Sequence, residues 1–163
     1  MSSDDRVAKL ESRLRAAEDH LEILNLLSSY GPLVDSGTSK AAATLWVEGG
    51  GYNFTLPSGV DSRLEAPEEL IAMYESQGHQ NLVTTGASHL TATPKIKIQG
   101  DAASAVGYSF VVLREGERWF VWRAAINYWT LTRTDQGWRI VERVNRMLNG
   151  APESHETMRR VLA

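Results

Sequence analysis

Proton transfer is the chemistry this sequence is equipped for. It has four histidines, 20 acidic residues and no cysteine, so thiol nucleophiles, disulfides, iron-sulfur clusters and Cys-type zinc sites are excluded together. Two segments hold the candidates. The first, Tyr30-Gly31-Pro32-Leu33-Val34-Asp35-Ser36-Gly37, sets a phenol and a carboxylate five residues apart. The second, Ser88-His89-Leu90-Thr91-Ala92-Thr93-Pro94-Lys95-Ile96, carries an imidazole ahead of Gln99-Gly100-Asp101-Ala102-Ala103. A carboxylate beside a histidine fixes the imidazole tautomer and stabilises the imidazolium formed when the ring accepts a proton. Taken singly, each residue has an ordinary alternative. Asp35 can be a turn residue accepting backbone hydrogen bonds before Gly37, and His89 a core histidine bonded to backbone.

Other chemistries find no support in the pattern. His20, His79 and His155 lack a helical i, i+4 partner of ligand type, so no zinc site is expected. Gly49-Gly50-Gly51 is followed by no Lys-Ser/Thr, and no Gly-x-Gly-x-x-Gly opens a helix, so neither a phosphate loop nor a dinucleotide fold is expected. No cofactor is predicted. A formal charge of -3 and a pI near 5.8 provide no excess of cations for nucleic acid or acidic lipid. No apolar run approaches the ~20 residues of a membrane span. Acidic residues stand at Asp4-Asp5 where a secretory leader would be basic, and no apolar stretch follows them. A soluble, cytoplasmic protein is the expectation.

The elements that must position the candidates read as helices first and strands last. From Asp4 to Tyr30 the residues Val7, Leu10, Leu14, Ala17, Leu21 and Leu24 recur at steps of three and four, predicting one long amphipathic helix. Ser2, Ser3 or Asp4 is placed to cap it, and Gly31-Pro32 to end or kink it. Its heptad-like spacing fits either a partner helix or packing on the protein's own sheet. A second helix is predicted over Ser39 to Val47, and a strand over Tyr52 to Leu56 closed by Pro57. A third helix is predicted from about Pro67 to Gln77, ended by Gly78. Long strands follow at Lys95 to Gln99, Ala102 to Leu113, Trp119 to Arg133 and Trp138 to about Met147. Short turns at Gly100-Asp101, Arg114 to Glu117 and Asp135 to Gly137 join them into an antiparallel meander. Residues 151–163 read as a final helix or a flexible end, lying over a pocket mouth or on the surface. In the third long strand Trp119, Val121, Ala125 and Trp129 alternate with Phe120, Trp122, Ile126 and Tyr128, so both faces are apolar. Three helices cover one face; a second copy is expected on the other, as a dimer or trimer.

Helices followed by a strongly bent meander resemble the α+β cone of the nuclear transport factor 2-like superfamily, and within it the SnoaL-like and scytalone dehydratase-like group. The resemblance covers roughly Glu22 to Met147, in a chain expected to form one domain over residues 1–163 with a core of about 5–148. It implies that the end of the first helix delivers Asp35 into a pocket. It also implies that His89 is the catalytic histidine, although Thr93 stands where the group commonly has asparagine. Asn127, eleven residues before Trp138, is similar to the asparagine that scytalone dehydratase uses to hold substrate. Arg143, five residues after Trp138, resembles the arginine that a dehydrochlorinase of the superfamily places beside its Asp-His pair. Tyr30 is implied as a further catalytic residue and Tyr52 as a substrate-binding one. The function implied is a cofactor-independent lyase dehydrating a lipophilic, hydroxylated polyketide- or steroid-like ring. Isomerisation, cyclisation or dehydrohalogenation can follow the same proton abstraction. A non-catalytic ligand-binding or dioxygenase small-subunit-like protein is the alternative of a different class.

Overall fold

A computed structural model describes residues 2–56 and 58–163, so Met1 and the predicted strand-closing Pro57 lie outside the described residues. Helix α1 spans Ser3–Asp35. Ser2 caps it: its hydroxyl accepts from the Asp5 N–H at 3.1 Å while the Asp5 carboxylate accepts from the Ser2 N–H at 2.8 Å. Of the end or kink expected at Gly31-Pro32, the end does not occur there. Proline deprives one rung of its donor, but its fixed φ is helical, and the ladder resumes with Ser36 N–H donating to the Pro32 carbonyl at 3.0 Å. That extra turn brings Asp35 to the sheet.

The remaining elements are α2 (Ser39–Ala43), β1 (Trp46–Thr55), β2 (Asp61–Glu65), α3 (Glu68–Glu75), α4 (Gln77–Thr85), β3 (Ala87–Thr91), β4 (Lys95–Gln99), β5 (Ala102–Glu115), β6 (Arg118–Thr134), β7 (Gly137–Met147) and α5 (Pro152–Arg159). The seven strands form one bent, unclosed sheet in the order β2-β1-β7-β6-β5-β3, with β4 also paired to β5. The long strands fall where the alternation placed them.

Four features differ from the sequence reading. The predicted second helix stops at Ala43, because Trp46 and Val47 already belong to β1. The triple glycine lies within β1 as a bulge against β7, with Gly49 at φ 73°, a conformation that glycine adopts without strain. The predicted third helix is α3, but a further helix, α4, follows it where Gly78 reads as a stop, because Ser76 turns extended (ψ 146°) and caps a new helical start. The sheet is not wholly antiparallel: β1 pairs with β7 in parallel, which is permitted because most of the chain separates them and no hairpin dictates their sense.

Along α1, Ile23, Leu27, Tyr30 and Val34 share one buried cluster with Ala105, Trp129, Leu131, Trp138 and Ile140 of the sheet. A polar latch adds to this packing. Asp19 accepts from Arg133 at 2.6 Å and from the Trp138 indole at 3.3 Å, and Glu22 accepts from the Trp138 N–H at 2.8 Å. The tail forms α5 on the outer face of the sheet, where the Arg160 guanidinium lies 4.4 Å from the Tyr128 ring. It therefore covers the sheet back rather than the cavity described next. The β5–β6 hairpin tip leaves Trp119, Val121 and Trp122 exposed.

Candidate active site

Between the concave side of the sheet and helices α1, α3 and α4 lies a cavity of about 350 Å³, lined among others by Tyr30, Tyr52, Tyr74, His79, His89 and Arg143. Its wall is mostly apolar, with Val34, Phe54, Met73, Leu82 and Val111 filling in between the polar groups.

Asp35 and His89 meet at its edge. The Asp35 Oδ1 lies 2.5 Å from His89 Nδ1, and Oδ2 accepts from the His89 backbone N–H at 2.7 Å. A carboxylate can only accept, so Nδ1 carries a proton and Nε2 is left as the basic nitrogen. His89 lines the cavity and Asp35 stands behind it. Gly31 makes this approach possible, since a Cβ there would collide with the His89 carbonyl oxygen.

Arg143 is buried on β7 at 5% exposure. Its guanidinium sits 4.6 Å from the Tyr30 ring, 4.8 Å from Tyr52 and 5.8 Å from Trp129. Burial opposes its charge, while the electron-rich faces of the Tyr30 and Tyr52 rings favour it, and the guanidinium stays protonated. Among the described residues it forms no ion pair with a carboxylate. A dehydrated guanidinium held by aromatic faces keeps its terminal NH2 donors for an incoming anionic oxygen, its Nε–H being the one directed to Asn127. Tyr30 and Tyr74 touch through their hydroxyls at 3.4 Å. Burial raises the pKa of both, so both remain neutral phenols.

The six predicted site residues therefore gather in one region, with one, Asn127, in an unexpected position. Tyr52 lines the cavity, stacked on Phe54 at 4.7 Å. Asn127 is fully buried below the lining. Its Oδ1 accepts from Arg143 Nε at 2.9 Å and from Asn145 Nδ2 at 2.7 Å, while its own Nδ2 donates to Ser109 Oγ at 2.7 Å. Its amide is thus occupied in holding Arg143 and Asn145.

Sequence reasoning missed His79. Its Nδ1 lies 3.0 Å from the Tyr74 carbonyl, which only accepts, so Nδ1 is protonated and Nε2 carries a lone pair without a partner. The ring stands 5.7 Å from that of His89. Desolvation, and then the neighbouring His89, lower its pKa below 6.5. The signal was Ser76, three residues earlier, whose hydroxyl accepts from the His79 N–H at 3.4 Å and marks a helix start. Among the described residues no three His, Asp or Glu side chains converge as metal ligands would.

The SnoaL-like domain model matches residues 15–144, which include Tyr30, Asp35, Tyr52, His79, His89, Asn127 and Arg143. The chain belongs to the SnoaL-like family. That family includes polyketide cyclases and dehydratases. Among solved structures, this SnoaL-like chain is similar to an NTF2-like protein with a cystatin-like fold from Novosphingobium aromaticivorans. The two share 33% identity over 93% of this chain and 96% of that one, with a TM-score of 0.87. Rv3472, a protein of unknown function from Mycobacterium tuberculosis, shares the fold at 19% identity and a TM-score of 0.69, over 94% of this chain and 90% of that one. Aln2 from a Streptomyces species does so at 19% identity and 0.68, over 80% and 91%. No curated protein matches the chain.

Proposed function

We propose that this SnoaL-like protein is a cofactor-independent dehydratase acting on a lipophilic ring compound that bears a hydroxyl group β to an activating carbonyl. The observation that carries the reading is His89, held by Asp35 through Nδ1 and facing an apolar cavity beside an unpaired guanidinium.

His89 Nε2 removes the proton α to the carbonyl, and the C–H electron pair becomes the enolate. Asp35 stabilises the resulting imidazolium and prevents the ring from turning. Charge that develops on the carbonyl oxygen falls to Arg143, with the Tyr30 phenol as a second donor. The enolate then collapses, the C–O bond breaks, and the imidazolium returns its proton to the departing hydroxyl as water. His79, neutral and packed with its ring 5.7 Å from that of His89, adds no second positive charge beside the base as the imidazolium forms. Tyr52 and Phe54 supply an aromatic wall for the ring. Asn127 is a positioning residue, acting through Arg143 and Asn145.

The test is incubation with a β-hydroxytetralone and mass analysis of the product. Loss of one water, abolished in His89→Ala with the circular dichroism spectrum unchanged, is the expected result. Full activity in that variant overturns the mechanism. A product of unchanged mass assigns isomerisation or cyclisation to the same pair, and chloride release from a chlorinated ring assigns dehydrohalogenation.

A further inference from the structure

The first half of α1 presents an apolar stripe to solvent on the side away from its own core. Val7, Leu10, Leu14 and Leu21 are 50%, 60%, 59% and 59% exposed. Ala17 is also exposed and Leu24 half-buried, so the three-four spacing runs unbroken from Val7 to Leu24. The core face of α1 consists of Asp19, Ile23, Leu26, Leu27, Tyr30, Gly31 and Val34. At about 100° per residue, the stripe points roughly 150° away from that face. Packing on its own sheet, one of the two readings the spacing allowed, is therefore geometrically closed to it.

We infer that the stripe is the seam of a parallel, in-register coiled coil with α1 of a second copy of this chain. The occupant is set by charge. With Val7, Leu14 and Leu21 at the a positions and Leu10, Ala17 and Leu24 at d, the g positions are Arg6, Arg13 and His20, and the e positions are Glu11, Glu18 and Asn25. The next a position holds Ser28, so the apolar seam ends at Leu24. In a parallel pair each g residue faces the e residue five further along the partner. Arg6 then meets Glu11, Arg13 meets Glu18 and His20 meets Asn25 across the seam, on both sides of the two-fold axis. In an antiparallel pair g faces g and e faces e, which sets arginine against arginine and glutamate against glutamate in any register. Among the described residues Arg6, Glu11, Arg13 and Glu18 form no ion pair within their own chain, so all four are free to pair across the seam.

The geometry accommodates two bodies. Because core face and stripe point away from each other, the two sheets lie on the outer sides of the helix pair. From Val7 to Leu24 the seam is about 26 Å long at 1.5 Å per residue. An isolated helix this short is marginal, because nucleation is costly. Here the helix is already nucleated by its packed second half, which offsets that cost. The outcome is a C2 dimer.

The chain has no cysteine, so single substitutions report cleanly. Leu10→Cys and Leu21→Cys, made separately in the full chain and oxidised at micromolar concentration, are both expected to give disulfide-linked homodimers. Identical positions meet all along a parallel seam but only at one point of an antiparallel one. Light scattering is expected to give twice 18.1 kDa for the wild type and half that mass for Leu10→Glu/Leu14→Glu. The charge-swapped pair, Glu11→Lys/Glu18→Lys mixed with Arg6→Glu/Arg13→Glu, is expected to restore the dimer when each alone does not form it. A monomeric wild type, a dimer that survives the double glutamate substitution, or cross-linking at only one of the two cysteine positions overturns the proposal.

Discussion

The carboxylate of Asp35 binds His89 at two points, the ring Nδ1 at 2.5 Å and the backbone N–H at 2.7 Å. One contact sets the tautomer and the other sets where the ring's strand sits, so a single residue fixes both the chemistry and the position of the base.

Asp35→Asn is expected to lower kcat by about 10²–10⁴-fold, the range of a general-base contribution, with little change in KM. An amide offers one acceptor where the carboxylate offers two, and it cannot stabilise the imidazolium. Steady-state kinetics beside near-UV circular dichroism checks this; an unchanged kcat contradicts the orienting role.

Gly31→Ala separates close approach from helix propensity. In an unhindered helix interior the change stabilises by up to about 1 kcal/mol. Here the new methyl meets the His89 carbonyl, and the expected result is a loss of about 1–3 kcal/mol together with activity. Urea denaturation gives the sign directly.

Arg143→Met is expected to reduce kcat by about 10²–10³-fold, as when one oxyanion donor is removed, while leaving stability unchanged or higher. A buried cation without a carboxylate is held at a desolvation cost that an apolar side chain avoids. A clearly less stable protein would make Arg143 a structural residue.

His79 makes stability depend on pH. Its folded pKa lies below 6.5, chiefly through desolvation, so the unfolded chain binds the proton more readily. Its contribution is fully present above 6.5 and is lost as pH falls from 6.5 toward the folded value, by at most about 1.4 kcal/mol per pH unit. His79→Gln is expected to flatten that part of the stability profile relative to wild type. Equal slopes for the two proteins would contradict the assignment.

The strands from Lys95 onward were legible because alternation with short turns leaves little freedom, and the Asp35–His89 pair was legible through its resemblance to a known group. The paths that resemblance could not supply were harder. Pro32 reads as a terminator, yet its own φ is helical and only one rung is lost. Gly78 reads as a stop, yet Ser76 makes the turn and Gly78 falls inside α4, which is why His79 went unnoticed. Asn127 reads as a substrate ligand because a sequence does not reveal that Arg143, Asn145 and Ser109 already occupy its amide. The parallel pairing of β1 with β7 joins residues far apart in the chain, where no local signal sets direction. The stripe on α1 was visible as spacing, but its orientation relative to the core emerged only with the fold.

The claim that His89 Nε2 takes a proton from carbon is tested most directly by solvent exchange. With a β-hydroxytetralone in deuterated water, wild-type protein is expected to incorporate deuterium α to the carbonyl in recovered substrate, and His89→Ala to incorporate none above the uncatalysed rate. Exchange that persists undiminished in His89→Ala would contradict the account.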